Sequence, residues 1–408
     1  MSKCARNLLS FVQLFFLISL PMQFGPHFWQ ANSFISGYRI DYLSLYIYFS
    51  DILAIITILL ELIFYKKRQI NYFWINLSIG IFIYNLIQLF WVKQQWVHIV
   101  WSIRIMLCLM ASVSIYYNLK NIKKYIFWIA LGQLSIIAII ALTQFIHQGS
   151  LNGFWYYLGE RLFSIQTPGI AKTDLFGRLI LRPYAFFSHP NTMAGYALLM
   201  GYVAYIFSKS PYYKIKIIGL FLTTFILVGI SFSQIAWVAL SLFLLISSIN
   251  RKHPIKLNKI HLVILSLLVV ISPKILQALP FLRSDIVSRN LILQNIKITP
   301  STLLLGQGWF GSLLSRTSYI NIVDIQPIHN VIWELVISIG FIPCLFALYL
   351  FYKNVYKKIN EINEGLLAPI ALIVLPISFD HYILTQIQIL YAFGMFVVAL
   401  TAFLYNKN

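Results

Sequence analysis

The feature that most constrains this chain is a recurring run of roughly 20 mostly apolar residues, the length that carries a helix across a bilayer's hydrocarbon core. Such runs fall near 8–25, 43–65, 72–91, 96–117, 125–146, 188–207, 215–231, 233–249, 260–279, 329–352, 365–382 and 383–404. With 60% hydrophobic and only 10% charged residues in 408, the chain has too little polar surface to coat a soluble domain of its size. Lipid can take the place of water around helices whose backbone groups are satisfied internally. The expected fold is therefore all-α: a polytopic membrane helical bundle of about twelve transmembrane helices, forming a single integral membrane domain over 1–408. Leu8 to Phe24 follows Lys3 and Arg6 without a small-x-small cleavage site behind it, so it reads as a retained first span.

The net charge of +20 does not indicate nucleic acid. The basic residues sit in short clusters between apolar runs, the positive-inside pattern. With the N-terminus inside, every even-numbered connection is Lys-rich, from Lys66-Lys67-Arg68 through Lys357-Lys358, and both termini are cytoplasmic. Nineteen of the 31 basic residues fall on that side, 16 of them Lys; of the other 12, eight are Arg: Arg39, Arg104, Arg161, Arg178, Arg182, Arg283, Arg289 and Arg316. Topology needs positive charge but not guanidinium, whose fork suits phosphate or carboxylate. Surface salt bridges are the plainer explanation of the same bias. Arg104 lies within a span and should face the bundle interior. Two outer connections are long, 147–187 and 280–328, and are expected to fold over the membrane surface with short helices.

Several polar groups near the outer span ends can carry chemistry. His329-Asn330 stands where the second long loop enters a span. The imidazole suits a general base near neutral pH, and Asn330 suits orienting it or binding a sugar hydroxyl; a helix start needs no more than a cap there. Arg178, Arg182, His189 and Asn191 precede or open another span, where Pro190 fits a first helical turn and Ser188 a cap. An Arg beside free helix N–H groups favours an anion. Ser231-Phe232-Ser233-Gln234 joins two short spans, and Ser288-Arg289 lies in the second long loop. Asp380-His381 sits at the last outer turn, ahead of Gln386 and Gln388, as an ion pair or a sugar contact. Cys4, Cys108 and Cys344 have no metal-ligand spacing, and Walker, GxGxxG, HExxH and GxSxG motifs are absent. No metal and no cofactor are expected.

In order and spacing these motifs resemble the O-antigen ligase and O-antigen polymerase superfamily of bacterial envelopes. Its Arg-x-x-Gly-Thr-Phe-x-(His/Asn)-Pro-Asn segment is matched by Arg182 to Asn191, followed by Ala194, Gly195 and Ala197. Its Ser-x-Ser-Arg turn is matched by Ser231 to Gln234, its loop Ser-Arg by Ser288-Arg289, and its Gly-x-Gly turn by Gly306 and Gly308. Its Gln-Pro-x-His-Asn segment is matched by Gln326 to Asn330, ending at Gly340. The likeness covers about 180–345, the family's core; the N-terminal third agrees only in topology. Gln234 stands where the family usually has Arg, and Ser338 where it usually has Glu.

The resemblance implies a metal-independent glycosyltransferase at the outer face of the bacterial plasma (inner) membrane. Its donor would be a glycan on a polyprenyl diphosphate, usually undecaprenyl, and its acceptor a hydroxyl on a glycan or lipid A core. His329 would be the base, with Arg182 and Arg289 on the diphosphate and Asn330, Gln234, Arg178, His189, Asn191, Asp380 and His381 around the substrates. The alternatives are a lipid-linked glycan transporter, which would call for repeated halves or broken midplane helices, and a non-catalytic member of the family.

Overall fold

The computed structural model describes residues 3–64, 72–208, 213–252, 292, 294–316, 325–351, 353 and 367–405, and these are mostly helical. The chain opens with α1 (Lys3–Ser19). A segment of two small antiparallel hairpins follows, β1 (His27–Phe28) pairing with β4 (Leu45–Tyr46) around β2 (Phe34–Ile35) and β3 (Tyr38–Arg39). Next come α2 (Phe49–Phe64), α3 (Tyr72–Gln88), α4 (Gln95–Tyr117), α5 (Leu119–His147) and the single turn α6 (Phe154–Tyr157). The hairpin of β5 (Lys172–Leu175) and β6 (Arg178–Leu181) leads into α7 (Pro190–Phe207), α8 (Tyr213–Ile230) and α9 (Gln234–Lys252). The remaining helices are α10 (Pro300–Leu305), α11 (Gly311–Leu314), α12 (Val331–Ile339), α13 (Phe341–Phe351), α14 (Leu367–Phe379), α15 (Tyr382–Thr385) and α16 (Ile387–Tyr405).

The helices are inside-out by the standard of a water-soluble bundle. Along α2, Ile52, Ile55, Ile56, Leu59, Leu62 and Ile63 are exposed while Asp51 and Thr57 are buried. On α5, Trp128, Ile136 and Ile139 face out while Gln133 and Gln144 face in. A helix in water presents the opposite faces; an apolar surround favours these. Among the described residues, Gln95–Tyr117 and Leu119–His147 are each long and apolar enough to cross a membrane, and a bent pair makes a third candidate. Several apolar helices are shorter, Ile387–Phe403 among them.

At the centre lies α7, against α5, α8 and α16, buried throughout except at Asn191 and its last three residues. Its small residues let neighbours approach closely. A Cβ on Gly195 would stand 2.5 Å from the Tyr382 ring, so only glycine fits.

Two expectations need correction. The run 329–352 is not one helix but α12 and α13, bent by 113° at Gly340. Gly340 has φ +92°, and a Cβ there would meet Leu304 O at 2.4 Å. The last carbonyls of α12 go to another loop: Gln307 N donates to Ile337 O (2.7 Å) and Gly308 N to Ser338 O (2.9 Å). The Gly306–Gly308 turn therefore caps α12, and the chain turns away. Second, the fold is not purely helical: the loop 147–187 carries the β5–β6 hairpin besides the short α6, and 20–48 holds the other two hairpins. The expected span 260–279 lies outside the described residues. The described part of 280–328 does contain short helices, α10 and α11.

Candidate active site

Four separate segments meet at one end of α7. Arg182, just past β6, is half-buried; its Nε donates to Ser231 O (2.7 Å) in the α8–α9 turn, and its Nη2 to Asn191 Oδ1 (2.6 Å). Asn191 sits in the first turn of α7, which is capped by His189 and not by Ser188: the His189 Nδ1 accepts from Asn191 N (3.1 Å), with Pro190 at the first helical position. Asn191 turns its other amide group to Asp380, donating from Nδ2 to Oδ2 (3.2 Å). Asp380 ends α14, where Pro376 stands in the helix, and its second oxygen accepts from His381 N (2.8 Å).

Asp380 faces two imidazoles. His329 Nδ1 is 3.7 Å from Asp380 Oδ1, and the rings of His329 and His381 lie 4.8 Å apart between centroids. The far nitrogen of each ring is held. His329 Nε2 reaches Gln326 Oε1 (2.9 Å), an acceptor only, so that nitrogen carries the proton in the neutral ring. Thr385 Oγ1 donates to His381 O (3.1 Å) and therefore accepts from His381 Nδ1 (2.6 Å). Arg316, buried, donates to Gln326 O and so steadies the residue that holds His329. One donor atom from each of His329, Asp380 and His381 falls within 4.8 Å of the others. No metal site is expected from the motifs, yet the fold gathers three ligand-type residues from two distant segments.

No protein-family model and no curated protein matches this chain.

Asn330 is placed for structure more than for substrate. It is the cap of α12, its Oδ1 accepting from Ile332 N and Trp333 N, while its Nδ2 donates to Ser378 O (3.0 Å). Both halves of the amide are engaged in tying α12 to α14, which seats His329 against Asp380. Gln234 is exposed on the first turn of α9, and Arg178 is exposed beside the β5–β6 turn, opposite Leu175; neither takes part in the chain of hydrogen bonds from Arg182 to Asp380. Ser288, Arg289 and Arg283 lie outside the described residues.

Arg39, Arg161 and Arg104 are held in ion pairs elsewhere in the fold. Arg161 pairs with Asp41 at 2.5 Å and Arg39 with the same carboxylate at 3.9 Å, both partly exposed. Arg104 faces the interior as expected, against Asp51 (3.3 Å) and over the Tyr46 ring (3.9 Å). Gln388 is a staple and not a site residue, donating to Pro21 O (2.6 Å) and Phe186 O (3.1 Å).

Sequence reasoning did not find Tyr42 or Glu334. Tyr42 comes from the hairpin segment; its ring meets His381 edge-on at 5.7 Å and stacks on Phe310 at 5.6 Å. Burial raises the phenol's pKa and outweighs the hydrogen bond shared with Gln386, which acts to lower it, so Tyr42 stays protonated. Phe310 is held at φ +61°, a costly conformation for a bulky residue. Glu334 lies one turn ahead of Ser338, and its buried carboxylate accepts from Ile328 N (3.1 Å) and from the hydroxyls of Ser312 (3.2 Å) and Ser338 (3.3 Å). Glu334 and Ser338 lie on one face of α12, since residues four apart on a helix are neighbours.

Proposed function

We propose that this chain is a membrane glycosyltransferase of the ligase or polymerase type, moving a glycan from a polyprenyl diphosphate to a hydroxyl acceptor. The observation that carries this reading is the continuous polar chain from Arg182 through Asn191 and Asp380 to His329 and His381. It puts an anion-seeking guanidinium and a proton-accepting imidazole in one site. In the reaction the acceptor oxygen bonds to the anomeric carbon, and the carbon–oxygen bond to the diphosphate breaks with its electron pair leaving on phosphate. The hydroxyl proton passes to His329 Nδ1, and Asp380 stabilises the imidazolium that forms. Arg182, with Arg289 from the second long loop, offsets the charge gathering on the leaving diphosphate. A lipid-bathed scaffold suits the task because the polyprenyl tail can remain in the bilayer.

The reading carries the wider placement with it: about twelve spans in the bacterial plasma membrane, both termini cytoplasmic, and the His329 site on the outer face. The donor is then undecaprenyl-diphosphate-linked glycan and the acceptor a glycan or lipid A core. One observation favours a lipid-linked glycan transporter instead, the 113° break between α12 and α13, because transporters bind substrates at broken helices. The break is fully capped by the Gly306–Gly308 turn and by Gln88, whose Nε2 donates to Ser338 O (3.1 Å). That closure serves to aim His329 better than to bind cargo.

The test uses the purified full-length chain in nanodiscs with an undecaprenyl-diphosphate oligosaccharide and a glycan acceptor. Wild-type protein should form elongated product in EDTA, while His329→Ala inserts and folds but forms none. Product from His329→Ala at the wild-type rate would remove the base from the mechanism. Movement of intact lipid-linked glycan between leaflets without product would establish the transporter.

A further inference from the structure

We propose that His329, Asp380 and His381 form a binding site for one divalent transition-metal ion of the zinc class. Two imidazoles and one carboxylate are a donor set that zinc takes in sites with an open fourth position. Mg²⁺ and Ca²⁺ prefer all-oxygen shells, so two nitrogen donors select against them. Tetrahedral zinc with bonds of about 2.0–2.2 Å sets its ligand atoms roughly 3.3 Å apart. His329 Nδ1 and Asp380 Oδ1 are already 3.7 Å apart, and the whole set lies within 4.8 Å. Side-chain rotation covers the difference.

The surroundings are those of a built site. Each donor has an outer partner on its far atom: Gln326 on His329 Nε2, Thr385 on His381 Nδ1 and Asn191 on Asp380 Oδ2. Such contacts fix the tautomer and aim the lone pair inward. With those nitrogens held, His329 presents Nδ1 and His381 presents Nε2. His381 and Asp380 are buried and His329 nearly so, which keeps the carboxylate from a full hydration shell.

The consequence for activity rests on the transferase reading, although the binding does not. A metal on His329 Nδ1 occupies the lone pair that takes the acceptor's proton. Zinc is therefore an inhibitor of transfer, not a cofactor, and the reaction proceeds after chelation.

The experiment titrates the EDTA-stripped full-length chain in nanodiscs with Zn²⁺ by calorimetry, and records the zinc X-ray absorption spectrum of the wild-type protein at one equivalent. One ion should bind, with two imidazoles in its first shell. Thr385→Val should weaken binding about 10–100-fold, and His381→Ala and Asp380→Asn should weaken it more. The absence of stoichiometric binding, a first shell of sulfur or of oxygen alone, or wild-type affinity in both ligand variants would overturn the site. The wild-type spectrum needs no variant to fold. In an activity arm, Zn²⁺ at saturating concentration should halt product formation, and EDTA should restore it. Undiminished transfer by the zinc-loaded protein would overturn the inhibitory role, whereas metal binding in a protein that never forms product would fail the transferase reading and leave the site standing.

Discussion

Two buried aspartates inside this bundle are set apart by their surroundings. Asp51 is closed off. Its Oδ2 accepts from Tyr48 N (3.1 Å) and Arg104 Nε (3.3 Å), and its Oδ1 from the Tyr391 hydroxyl (2.9 Å). Arg104 in turn donates to Tyr46 O and lies over the rings of Tyr46 and Trp101. Every partner is a group that keeps its proton state, so the pair locks α2, α4 and α16 to the hairpin segment. Asp380 is arranged differently. Asn191 holds Arg182 away from it, and the carboxylate looks onto the imidazoles of His329 and His381. A carboxylate whose oxygens are both bonded to fixed partners stiffens a fold; a carboxylate set against imidazoles is placed for proton or cation exchange.

The sharpest way to break this contrast is to neutralise each aspartate's site in turn. Asp380→Asn should lower glycan transfer about 10²–10⁴-fold, the range lost with a general acid–base partner, while thermal unfolding of the detergent-solubilised protein barely moves. A collapse of folding there would make Asp380 a second Asp51. Next in size, Arg104→Met should cost about 3–5 kcal/mol by leaving Asp51 buried and uncompensated. The double variant with Asp51→Asn should recover most of that in the same unfolding measurement. Stability unchanged in Arg104→Met would dissolve the lock. Arg182→Lys keeps the charge but cannot reach Ser231 O and Asn191 Oδ1 together; kcat/KM for the lipid-linked donor should fall about tenfold, as for one lost charged hydrogen bond. The smallest effect is expected at Ser338→Ala, which removes one of two hydroxyls on Glu334. It should cost about 1 kcal/mol in the same unfolding assay, and any larger loss would mean that Ser338 does more than hydrate a carboxylate.

Much of the site was legible in the sequence one residue at a time. His329, Arg182, Asn191 and Asp380-His381 all stand at span ends, where a polar side chain is conspicuous against apolar neighbours. Their partnership was not legible, because His329 meets Asp380 only through the packing of α12 on α14. The arginine bias misled for the same reason: Arg39, Arg161, Arg104 and Arg316 have the right residue type but are held by Asp41, Asp51 and a loop carbonyl. Asn330 and His189 looked like substrate contacts, and their hydrogen bonds show helix caps. Tyr42 left no trace at all, since nothing local distinguishes it from the other tyrosines of its segment.

By itself the sequence determined the solvent this protein needs and the positions of most helices, because burying long apolar runs is a local demand that each run makes independently of its neighbours. The tertiary structure alone decided where a run breaks, which arginine joins Asn191 and Asp380 in one hydrogen-bonded chain, and which two histidines face a shared carboxylate. Those outcomes depend on short contacts between groups far apart in the chain, such as Arg182 with Ser231 and His329 with Asp380. The glycine turn at 306–308 ends α12 by taking its carbonyls, and no spacing within α12 announces that.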